Sequence, residues 1–170
     1  LETGDGSVEA NGRQPGLSGD GRLRAGSPPA RIGTRRPVEI CLVRHAIAVE
    51  RGTPGYEDDS RRELTAEGRV RMIEAAAGLR RVFTPQTILT SPLVRAAETA
   101  EILRKAYGLG KARVCEALAS DDFDAVLRAL EEVDADAVAL VGHEPWMSEL
   151  LSYLLTGAAG GMTATVKKGA

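Results

Sequence analysis

Short apolar runs alternating with longer segments of helical period constrain this chain more than any other feature. The runs are residues 38–43 (VEICLV), 86–90 (QTILT), 112–115 (ARVC, the weakest) and 137–141 (AVALV). They are too short for ordinary helices and have the length of buried strands. Between them, residues 66–82 carry helical spacing after Thr65, a suitable N-cap. Ser91-Pro92 offers an N-cap and a first-position proline for a helix through about Tyr107, which Gly108 ends. Ser120 or Asp121 is expected to cap a helix through Val133, and Pro145 through Thr156 form the last helix, stopped by Gly157. Strands alternating with helices predict an α/β fold, a mostly parallel sheet flanked by helices on both faces.

At 170 residues the chain is long enough for one domain with a proper core. Hydrophobic residues make up 43% and charged residues 27%, a globular balance. A formal net charge of −2 argues against coating nucleic acid, so no nucleic-acid partner is expected. Cys41 and Cys115 fall in apolar runs and read as small core residues of a reducing compartment. No apolar run approaches the ~18–20 residues of a membrane span, and no apolar signal core opens the chain. No membrane association is therefore expected, and a cytoplasmic location is. Residues 1–36, rich in Gly, Arg, Ser and Pro, read as a disordered tail or linker ahead of a domain over 37–170. The stretch GDGRLRAG within them follows no strand and opens no helix, so it is not read as a phosphate loop.

Parallel α/β sheets bind ligands at the carboxyl ends of their strands. Three strand ends here carry unusual polar residues. The run ICLVRHAIA ends in Arg44 and His45, TSPLVRAAET brings Arg95, and AVALVGHEP brings His143, the second of only two histidines. An arginine fork grips phosphate oxygens and stays charged, while a neutral imidazole nitrogen attacks phosphorus. Phosphoryl transfer needs mainly positioning and charge stabilisation, which two Arg and two His supply without a metal. Taken singly, a strand-end His reads as structural and Arg95 as a solvated helix residue. HEPWM is not a zinc helix, because Met147 stands where a second His is required. YEDDSRRE, residues 56–63, reads as a charged surface loop without EF-hand spacing. No metal or cofactor is expected.

Together, LVRHAIA, TSPLVRAAETA and LVGHEPWMSELLSYLLTG resemble the three hallmark segments of the histidine phosphatase superfamily. DDSRRELTAEG resembles the Arg-Pro-Leu-Thr-x-x-Gly loop of its short, SixA-type phosphohistidine phosphatases, and the likeness covers roughly residues 38–170. The resemblance implies a three-layer, phosphoglycerate mutase-like fold. It also implies that His45 is the nucleophile that becomes phosphohistidine, and that Arg44, Arg95 and His143 bind the phosphoryl group. Arg61 or Arg62 then lines the mouth and touches the peptide part of the substrate, or is a surface arginine. The implied activity is metal-independent removal of phosphate from phosphohistidine on a signalling or phosphotransfer protein. The alternatives are a phosphatase of small esters or nucleotides, which needs an effective acid, and a phosphate-binding module without turnover. Glu116 is the first candidate acid, with Asp121 and Asp122 following; each also reads as a surface or capping carboxylate. The chain departs from the family pattern in three places. Ala46 stands where Gly is common, Glu63 replaces a Pro, and the chain stops where the family continues through a further strand. The expectation is thus a C-terminally truncated domain apparently lacking its last strand, with a strand beginning in MTATVKK.

Overall fold

The computed structural model describes residues 37–120 and 122–169. The expectations placed on residues 1–36 and on Asp121 lie outside the described residues. Four strands and four α-helices alternate: β1 (Glu39–Arg44), α1 (Ala66–Leu79), β2 (Thr87–Thr90), α2 (Val94–Tyr107), β3 (Arg113–Val114), α3 (Phe123–Glu131), β4 (Ala137–Gly142) and α4 (Trp146–Thr156). The sheet is parallel throughout, in the order β1-β4-β2-β3.

The central place of β4 follows from its sequence. AVALVG is apolar at successive positions, and Val138 through Gly142 are all buried. The period of two then sorts its side chains between two cores. Ala139 and Val141 join Cys41, Val43 and Ile88 beneath α1 and α2. Val138 and Leu140 join Ile40, Leu42 and Leu89 beneath α3 and α4. This is the expected three-layer sandwich. Cys41 and Cys115 are free thiols belonging to opposite layers.

Several boundaries shift for identifiable reasons. Ser91 does not cap α2. Its Oγ accepts from Leu93 N at 3.3 Å instead, and the helix begins only at Val94, with Leu93 in the cap position and no side-chain cap bond. Asp122, rather than Ser120, caps α3 by accepting from Ala125 N at 2.8 Å. Thr65 caps α1 as expected, through a 2.9 Å bond from Gly68 N. Gly108 and Gly157 end α2 and α4 in the left-handed conformation that glycine adopts readily. No strand forms in MTATVKK; residues 163–167 run irregularly past the end of β1. Among the described residues, the outer edge of β1 carries no strand, and no helix is long and apolar enough to cross a membrane.

Candidate active site

A crevice opens at the carboxyl ends of β1 and β4, neighbours in the sheet whose following helices pack on opposite faces. It is a cavity of about 300 Å³ lined by Arg44, His45, Arg62, Arg95 and His143, with Glu50, Glu144 and Lys168 among the other lining residues. All four residues singled out at strand ends therefore meet in one place. Of the two mouth arginines, Arg62 lines the cavity and is buried, while Arg61 is exposed and does not line it.

His45 is buried at the end of β1, and its Nδ1 lies 2.7 Å from the carbonyl oxygen of Ala46. A carbonyl only accepts, so Nδ1 carries the hydrogen and Nε2 keeps its lone pair. Burial above all, together with the charges of Arg95, Arg44 and Lys168, outweighs that hydrogen bond and lowers the imidazole pKa to about 4. The ring is neutral near pH 7, as a nucleophile requires. The Ala46 N–H donates to Thr99 Oγ1 at 3.1 Å, and Thr99 donates to the carbonyl of Arg95 at 2.7 Å. That N–H is therefore committed to holding the loop against α2.

The two floor arginines are each partly engaged. Arg44 Nη1 donates to the carbonyl of Val166 at 2.8 Å. Arg95 Nη1 donates to the carbonyl of Asp59 at 2.8 Å, and its Nη2 pairs with the Asp59 carboxylate at 3.1 Å. The Nε of each is buried without a hydrogen-bond acceptor. These two nitrogens are enclosed by protein, so an anion in the cavity would meet the guanidinium charges of Arg44 and Arg95 rather than their Nε donors.

Asp59 is the residue that sequence reasoning missed. YEDDSRRE was read as a surface loop, yet Asp59 pairs with Arg51, Arg62 and Arg95 together. The hydrogen bond from Arg62 is the largest influence holding its carboxyl far below the usual range. Arg62 Nη1 also donates to the carbonyl of Val49 at 2.6 Å. The signal that could have found Asp59 was its place three residues before Arg62 in a turn, within reach of that side chain. The candidate acids fare differently. Glu116 is exposed and outside the cavity lining, and Asp122 is used as the α3 cap. The lining carboxylates are instead Glu50 and Glu144. Among the described residues, no group of three or more His, Cys, Asp and Glu could hold a metal ion.

Comparison with known proteins gives the family. The family model described as the histidine phosphatase superfamily, branch 1, matches residues 40–126. An uncharacterized protein of Picosynechococcus is 37% identical over 128 residues, which is 72% of this chain and 76% of that protein. Among solved structures, a protein histidine phosphatase SixA complexed with tungstate superposes with a TM-score of 0.60 at 26% identity, covering 74% of this chain and 82% of its own. SixA of Agrobacterium tumefaciens superposes with a TM-score of 0.59 at 27% identity, covering 70% and 78%.

Proposed function

The chain belongs to the histidine phosphatase superfamily, in its SixA-type branch, and is a phosphatase; on that footing we propose that it removes phosphate from phosphohistidine on a protein. The observation that carries the reading is a neutral, buried His45 sharing a cavity with the guanidinium groups of Arg44 and Arg95. In the proposed reaction, Nε2 of His45 attacks phosphorus and the bond from phosphorus to the substrate imidazole breaks. The departing nitrogen keeps the bonding pair and takes a proton from water. Arg44 and Arg95 bind the equatorial oxygens as charge spreads over them, and His143 adds a hydrogen bond. Water then attacks phosphohistidine-45, releasing inorganic phosphate and restoring the lone pair on Nε2.

Neither Glu116 nor Asp122 lines the cavity, and Glu144 is held by Ser148 and Val166. Among the described residues, Glu50 is the one lining carboxylate left to act as an acid, so Glu50→Gln should slow ester turnover more than phosphohistidine turnover. A phosphoimidazole departs with less help from an acid than an alcohol needs.

The test is turnover of a phosphohistidine peptide and of p-nitrophenyl phosphate, with EDTA present, by wild type and His45→Ala. The peptide should be cleaved well and the ester poorly. His45→Ala should lose about a thousandfold or more, together with the acid-labile phosphoenzyme. Faster turnover of the ester would make this a phosphatase of small esters. Tungstate binding with neither turnover nor phosphoenzyme would make it a binding module.

A further inference from the structure

The segment after α4 brings a cation to the cavity that neither the strand-end residues nor the family motifs include. Val166 is gripped from both sides: its carbonyl accepts from Arg44 Nη1 at 2.8 Å, and its N–H donates to Glu144 Oε1 at 2.8 Å. Its side chain packs on the core beneath α3 and α4. Gly169 N donates to the carbonyl of Arg44 at 3.2 Å. Glu144 is itself held by Ser148, whose Oγ donates to it at 2.7 Å. Lys168 therefore sits between two anchors that tie the segment to the ends of β1 and β4. It is exposed, yet it lines the cavity.

The charges around it define its role. Arg51 and Arg62, the other rim cations, are both paired with Asp59. Arg44 and Arg95 bring their guanidinium charges to the floor. No carboxylate among the described residues forms an ion pair with Lys168; Glu50, which shares the lining, does not reach it. We propose that Lys168 is a specificity residue that binds a carboxylate of the substrate protein beside the phosphohistidine, so that the preferred partner carries acidic residues flanking its phosphorylated histidine. A flexible ammonium suits this task, because it follows a carboxylate whose position varies between partners. The transferred phosphoryl group belongs to the floor arginines, while the ammonium meets the surface that approaches the mouth.

The inference rests on the phosphohistidine reading, and its test is a binding experiment that needs no turnover. Two labelled peptides would carry a non-hydrolysable phosphonate analogue of phosphohistidine, one flanked by aspartates and one by alanines. Fluorescence anisotropy would compare their affinities for wild type, Lys168→Ala and Lys168→Arg, with tungstate affinity measured alongside. Wild type should prefer the aspartate peptide about fivefold, the scale of one exposed ion pair, and the preference should fade with added salt. Lys168→Ala should erase the preference while lowering tungstate affinity by less than it lowers affinity for the aspartate peptide; Lys168→Arg should keep the preference. The proposal is overturned by any of three results: no preference or no peptide binding in wild type, a preference that survives Lys168→Ala, or a loss of tungstate binding as large as that of the peptide. Failure of the phosphohistidine reading would appear elsewhere, as absent turnover of a phosphohistidine peptide.

Discussion

His45 is neutral because the fold removes water from an imidazole and sets arginines beside it. Its folded pKa of about 4 lies below the ordinary 6.5. An NMR titration of the His45 ring should therefore show a midpoint near pH 4, and a midpoint near 6.5 would contradict the buried geometry. The sign for stability follows from linkage. As pH falls from 6.5 towards 4, the unfolded chain takes up this proton before the folded one does. Folding stability should decline across that window, by on the order of 3 kcal/mol from this group. His45→Ala should flatten the decline in denaturant titrations. Asp59 makes the opposite kind of test. Simple Coulomb attraction says that removing a carboxylate beside an anion site strengthens anion binding. The geometry says otherwise, because Asp59 holds both Arg62 and Arg95 in place. Asp59→Asn should weaken tungstate binding and raise KM about tenfold, and tighter binding would show that Asp59 only opposes the charge.

At the level of elements, the loop 59–65 and α1 act as a buttress for the loop that follows His45. Val49 N donates to the carbonyl of Glu63 at 2.9 Å, Thr65 N donates to that of Ile47 at 2.9 Å, and Ala48 pairs with Leu64. Glu63 keeps this antiparallel contact where the family has Pro, since the bond uses its carbonyl. Gly68 explains the glycine of LTAEG: a Cβ there would stand 2.0 Å from the carbonyl oxygen of Ile47. That contact is with backbone and cannot be relieved by a rotamer change. Gly68→Ala should destabilise the protein by about 2–3 kcal/mol, seen as a lower denaturant midpoint. Activity should fall further than stability alone explains, because the displaced loop carries His45. The late start of α2 is the complementary lesson. The Ser-Pro pair reads as a helix start, but α2 begins two residues later than that, at Val94 after an extended Leu93.

For the whole molecule, Arg44 has no carboxylate partner among the described residues and Arg95 shares Asp59 with Arg51 and Arg62, so the cavity carries an excess of positive charge that favours an anion. Tungstate or phosphate should raise Tm through mass action, by about 2.7 kcal/mol of stability at a hundredfold excess over Kd. Arg95→Ala should remove that shift in thermal scans. The strand runs, the helix stops at Gly108 and Gly157, the parallel layering and the four strand-end residues were legible in the sequence. Each depends on a short-range rule: the period of burial, the left-handed preference of glycine, or the opening of parallel sheets at one edge. Arg62 could only be narrowed to a pair, because neighbours in an irregular turn point in different directions without a fixed period. Asp59, Lys168, Glu144 and the tie between Ala46 and Thr99 were decided by tertiary structure alone. Their roles come from contacts between segments up to 122 positions apart, such as Arg44 with Val166. A charged residue in a loop has the same local sequence whether it faces water or an arginine; only the packing of β1, α2 and the segment after α4 around one crevice determines which.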